Sequence, residues 1–87
     1  MEEKLSQYRQ WAGVTQAEMA RTMGIPLRTY EDLESEKAKF RPVHANAARW
    51  ALLEIAAKND DVSRLPAGIS ALVFKVGKLL ENKKGGH

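Results

Sequence analysis

The side chains of this 87-residue chain that are equipped for chemistry are ionic ones. It contains no cysteine, which excludes thiol nucleophiles, a disulfide framework and thiolate metal sites. His44 is the one histidine before the final residue. With no second histidine at metal-ligand spacing, it reads as a surface or capping residue rather than a base or a ligand. Asp60-Asp61 falls in a turn-like stretch with no partner acid or base, and Gly13 and Gly24 stand too far apart to cradle a phosphate. No metal, no cofactor and no catalytic activity are therefore expected. What remains is charge. Lys37, Lys39 and Arg41 put three cations on alternate residues of one stretch. Residues 1–36 hold four basic and seven acidic side chains, net −3, whereas residues 37–87 hold ten basic and four acidic, net +6. A basic half of that kind suits a polyanion, with nucleic acid the first candidate.

The elements that must position these charges are helical. No run alternates β-branched with polar residues, and no Asn-Gly or Asp-Gly hairpin turn occurs. A first helix is expected over about Glu2 to Ala12, with Leu5, Tyr8 and Ala12 inward and Gly13 ending it. A second begins at Thr15, an N-cap that Glu18 three residues later completes as a capping box, and stops at Gly24. Pro26 suits the first turn of a third helix running to about Ser35, with Tyr30 and Leu33 inward. After a loop from Lys37 to Pro42, a fourth helix spans about Val43 to Lys58, with Ala47, Trp50, Leu53 and Ala57 at helical spacing. Trp50, the largest apolar side chain of this half, is expected to anchor the core. A fifth, about Pro66 to Asn82, carries Ile69, Leu72, Val73, Val76, Leu79 and Leu80 as one apolar stripe. Residues 1–84 thus read as one all-α, compact five-helix domain, with the first four helices in about 5–58 and the C-terminal helix in about 66–82, and Gly85-Gly86-His87 as a disordered tail.

Two short helices joined by a tight turn at Gly24-Ile25-Pro26 have the layout of a helix-turn-helix. Gly13-Val14-Thr15-Gln16-Ala17-Glu18-Met19-Ala20, then Met23-Gly24-Ile25, Thr29-Tyr30 and Leu33-Glu34 resemble the phage repressor and Cro-type helix-turn-helix family. The likeness covers about Leu5 to Ala57, and the stretch from Asn59 lies outside it. It implies a lambda-repressor-like fold and a transcriptional regulator that occupies double-stranded DNA. It places Leu27, Arg28 and Asp32 at base-facing positions, with Thr29 close enough to touch a thymine methyl or a phosphate. It places Gln16 on a phosphate at the start of the second helix, where free N–H groups favour an anion. Lys37, Lys39 and Arg41 fall where such proteins contact phosphates from a loop. Arg9 and Glu34 match a structural ion pair that locks the third helix to the first.

The chain departs from that pattern in places. Glu31, Asp32, Glu34 and Glu36 make the third helix acidic for a DNA reader, and Leu27 stands where a polar base reader is common. Glu36 also takes a position where a helix-ending glycine is usual in the family. These features fit a second class, a protein-interaction module of antitoxin or adaptor type. The apolar stripe of the fifth helix has two candidate uses: pairing two subunits into a homodimer, with recognition helices about 34 Å apart, or packing against the first and fourth helices. No apolar run approaches the roughly 20 residues of a membrane span. Met1-Glu2-Glu3-Lys4 lacks the layout of a secretory signal, so a cytoplasmic location is expected.

Overall fold

A computed structural model describes residues 4–85, which form five helices and, among the described residues, no strand. They are α1 (Leu5–Ala12), α2 (Gln16–Met23), α3 (Leu27–Glu34), α4 (Pro42–Lys58) and α5 (Ala67–Gly85). The fold is all-α, as expected from the spacing. Glu2 and Glu3, expected in the first helix, lie outside the described residues. So do Gly86 and His87, whereas Gly85, expected in the tail, belongs to α5.

The three short helices are set by their ends. Lys4 begins α1, its N–H donating to Gln7 Oε1 at 2.8 Å. Thr15 caps α2 by accepting the Glu18 N–H at its Oγ1, 3.1 Å away. Glu18 does not return the bond, and its carboxylate lies 3.7 Å from Lys58 Nζ instead. Pro26 is the N-cap of α3 rather than its first helical residue, with extended backbone (φ −63°, ψ 148°). Helices of eight residues are marginal alone, so packing must hold them. Met19, Ala20, Tyr30, Leu33, Ala51, Leu52 and Ile55 supply the centre of the core, with Tyr30 and Met19 wholly enclosed.

The face of α4 differs from expectation. Ala48, Ala51, Leu52, Ile55 and Ala56 point inward; of the expected face, Ala47 and Leu53 are partly buried against the core, whereas Ala57 is exposed and Trp50 is 61% exposed. The helix is apolar nearly all round, so its sequence offers two adjacent faces. Packing selects the one with small side chains. Met19 and Ala20 of α2 reach near-complete burial against α4, and an indole at that contact would hold the two axes apart.

Packing of the α5 stripe against the rest of the body is confined to the first turn of the helix. Ile69 in its first turn is partly buried against the core, and then every side chain from Ala71 to Lys83 is exposed. The helix projects from the four-helix body, stretching the molecule to 51 × 24 × 21 Å.

Candidate nucleic-acid interface

The site is built from the α2–turn–α3 unit. Gly24 turns the chain in the left-handed region (φ 79°, ψ 29°), which a residue without Cβ adopts freely. The Ile25 N–H then donates to the Ala20 carbonyl at 3.0 Å, closing the end of α2. Tyr30 and Leu33 bury one side of α3. The opposite side is therefore presented outward with Leu27 and Arg28 exposed and Thr29 and Asp32 half-buried.

A polar cluster fixes α3 from behind. Glu34 accepts three hydrogen bonds: from Arg9 Nε at 2.6 Å, from the Tyr30 hydroxyl at 2.6 Å and from Gln16 Nε2 at 2.7 Å. Arg9 also donates to the Val14 carbonyl at 3.1 Å, so one guanidinium ties α1, the α1–α2 link and α3 together. The Arg9 and Glu34 side chains retain only 16% and 10% of their exposure. Burial pushes the Glu34 carboxyl upward, but the bonds from Arg9, Tyr30 and Gln16 together outweigh it and hold it below the usual range. The Tyr30 phenol is pushed well above its ordinary range, by burial first and then by its bond to Glu34. The Arg9–Glu34 pair expected from the resemblance is thus present. The Tyr30 hydroxyl and Gln16 are further members. The spacing of Tyr30 and Glu34, four apart on one helix, was the available signal for the former.

Gln16 bears on its expected role. Its amide N–H faces inward to Glu34, so it is engaged within the protein at the very position where an external anion was expected.

The four carboxylates of the α3 region separate by partner. Glu34 is consumed by the cluster. Asp32 Oδ1 lies 3.7 Å from Arg28 Nε on the same face of the helix. Glu36 lies 3.3 Å from Lys4 Nζ. Glu31 is exposed and makes no ion pair among the described residues. Glu36 itself adopts a left-handed backbone (φ 67°), so the chain leaves α3 in the conformation a glycine would take.

The loop after α3 is tied back to it. The Ala38 N–H donates to the Asp32 carbonyl at 3.1 Å. Lys37 and Lys39 therefore flank a residue bonded to the helix that carries Arg28 and Asp32. Arg41 follows as the N-cap of α4, its N–H accepted by His44 Nδ1 at 3.0 Å, which makes His44 a capping residue. Lys37, Lys39 and Arg41 are all exposed, and none makes an ion pair among the described residues. An exposed guanidinium held near a carboxylate on α3, with three uncompensated cations on the stretch that follows the helix, can donate to base edges and to phosphate oxygens. Comparison with protein-family models, with curated proteins and with solved structures found no match to this chain.

Proposed function

We propose that this protein is a sequence-specific DNA-binding regulator that lays α3 in the major groove, in keeping with its resemblance to the repressor and Cro-type family. The observation that carries the reading is the Ala38-to-Asp32 backbone bond, which ties a loop with three unpaired cations to the C-terminal end of α3. Arg28 is the specificity residue: guanidinium donors match the O6 and N7 of guanine, about 1–3 kcal/mol of discrimination. Asp32 orients it and can accept from cytosine N4. Leu27 and Thr29 offer apolar contact to a thymine methyl. Lys37, Lys39 and Arg41 bind phosphates and supply affinity without reading sequence. Gln16 acts on phosphate only through what its side chain has left after bonding Glu34, so its share is smaller than that of the loop. The chemistry proposed is binding, not catalysis, with no cofactor, in the cytoplasm.

The test is selection of bound fragments from genomic or random double-stranded DNA, followed by affinity against salt. Enrichment of one motif, with a log–log slope near −0.9 per phosphate contacted, supports the reading. Arg28→Ala is expected to relax the motif, and Lys39→Ala to weaken all sequences alike and flatten the slope by about 1. The protein-interaction reading is favoured by one observation, the exposure of Leu27 at the start of the helix that would face DNA. It prevails if no fragment is enriched and neither substitution changes DNA affinity.

A further inference from the structure

A recess of about 550 Å³ lies where the start of α1, the end of α3 and the loop leading to α4 meet. Backbone geometry makes it. Glu36 turns the chain in the left-handed region, and the Ala38 N–H bond to the Asp32 carbonyl draws the loop back to α3. Ala38 packs against the core, which leaves its neighbours Lys37 and Lys39 exposed on the rim. Leu5 and Leu33, both buried, supply an apolar floor, and Phe40 a half-exposed aromatic wall. The Phe40 ring is steadied by His44, with ring centroids 5.9 Å apart. The volume falls within the roughly 300–1,000 Å³ of small-molecule clefts, which combine an apolar lining with a few charged groups.

The charges of the recess divide by partner. Its two carboxylates are answered, Glu34 by Arg9 at 2.6 Å and Glu36 by Lys4 at 3.3 Å. Lys37 and Lys39 make no ion pair among the described residues. We propose that the recess binds a small organic anion with a flat apolar body, an aromatic carboxylate, and that this ligand lowers the affinity of the protein for DNA. Its carboxylate meets Lys37 and Lys39, and its rings cover Leu5, Leu33 and Phe40. A phosphate group satisfies the two lysines but leaves those three side chains wet, whereas a neutral aromatic covers them and leaves the lysines unanswered. An aromatic acid does both. The regulatory half rests on the DNA-binding reading, in which the same two lysines hold phosphates. Ligand and DNA then compete for them, and by linkage each weakens the other by one factor, about 5–150-fold for couplings of this kind.

NMR titration of the full chain with naphthoate, without DNA, tests the site itself. Saturable shifts are expected at the amides of Leu33, Lys37, Ala38, Lys39 and Phe40, with an apparent Kd of about 1 mM or tighter for a ligand of this size. Naphthylmethanol, with the same rings and no charge, should bind about tenfold more weakly. Lys37→Gln/Lys39→Gln should reduce naphthoate to the level of the alcohol with the fold intact, since both side chains are exposed. Arg49→Gln, at the cation of the neighbouring groove beside Trp11, should leave naphthoate binding unchanged. No saturation by about 10 mM, shifts centred on Trp11 and Ile69, equal affinity for acid and alcohol, or indifference to the lysine variant overturns the site. DNA affinity against salt, with naphthoate saturating, tests the regulation. The slope should flatten by about 2, as two phosphate contacts are given up. Naphthoate binding that leaves DNA affinity unchanged overturns the regulatory half alone. A chain that holds naphthoate but enriches no DNA overturns the DNA-binding reading and the regulation with it, while the site stands.

Discussion

Replacing Glu34 with alanine should destabilise the four-helix body more than any other single carboxylate change in the chain. Three donors converge on this side chain, and one of them, Arg9, is a cation with little exposure. The attraction in such a pair is largely offset by desolvating both charges. Removing one partner is different, because Arg9 keeps its desolvation and loses its compensation, and the Tyr30 hydroxyl loses its acceptor. Breaking a buried pair this way costs about 3–5 kcal/mol. Arg9 is not fully enclosed, so the low end, about 3 kcal/mol, is the appropriate figure. Small domains have about 5–15 kcal/mol in total, and each kcal/mol is worth roughly 4–8 °C in a body of this size. Thermal melts followed by circular dichroism should therefore fall by roughly 12–24 °C, and amide protection in α3 should fall with them. Glu31→Ala, at an exposed carboxylate without an ion pair, is the control and should change the melt by less than about 0.5 kcal/mol. An Arg9→Leu/Glu34→Leu chain should recover most of the loss, since apolar replacement of both partners is often near neutral. A Glu34→Ala melt within about 4 °C of the parent would refute the reasoning, as would a double variant no better than the single.

Three further outcomes can be measured in the same way. Trp50→Ala should change stability by less than about 0.5 kcal/mol, against about 3–5 kcal/mol for an aromatic anchored in a core; chemical denaturation separates the two. Glu36→Gly should raise stability by roughly 0.5 kcal/mol, because relief of the left-handed backbone at φ 67° outweighs the exposed contact to Lys4. The pH dependence follows from the lowered Glu34 carboxyl. A group depressed by folding contributes stability that is full above its unfolded value of about 4.3 and is lost as pH falls through the folded value. Acid titration of the melting temperature should thus fall more steeply below about pH 4 in the parent than in the Arg9→Leu/Glu34→Leu chain; parallel curves would reject the assignment.

How much of this was legible in the sequence depended on whether local chemistry or tertiary packing decided each feature. The limits of α2 were legible because Thr15 and Gly24 act on the backbone next to them. Tyr30 and Leu33 were legible as the inward side of α3 because the rest of that helix is polar. The face of α4 was not, since a helix rich in alanine and leucine all round has no unique apolar side and the choice was made by the approach of α2. The stripe of α5 was legible as a pattern, but a pattern states which face is apolar and not what covers it. In the site, Arg28, Asp32 and the loop cations could be placed from their positions. The pinning of Gln16 could not, because its partner Glu34 lies 18 residues away and only the docking of α2 on α3 brings them together.

The acidity of α3 is the feature that most opposed a DNA-facing role, and its force changes once each carboxylate is located. A charge repels phosphate only if it is exposed and uncompensated within about the 8–10 Å screening length of ordinary salt. Glu34 points into the cluster behind the helix, where Arg9 neutralises it. Asp32 is offset by Arg28 on its own face, and Glu36 by Lys4. Glu31 alone is left as a free negative charge, against Lys37, Lys39 and Arg41. The charge left unpaired around α3 is therefore net positive although the helix sequence is negative, and the excess lies on the loop rather than on the outward side chains of α3. Such a division makes backbone affinity and base reading separable. Neutralising the loop should weaken binding to every sequence, whereas reversing the Arg28 and Asp32 pair (Arg28→Asp with Asp32→Arg) leaves the net charge alone and should alter which bases are preferred. If the reversed pair instead weakens all sequences equally, the pair does not face the bases, and α3 is held to DNA by its flanks alone.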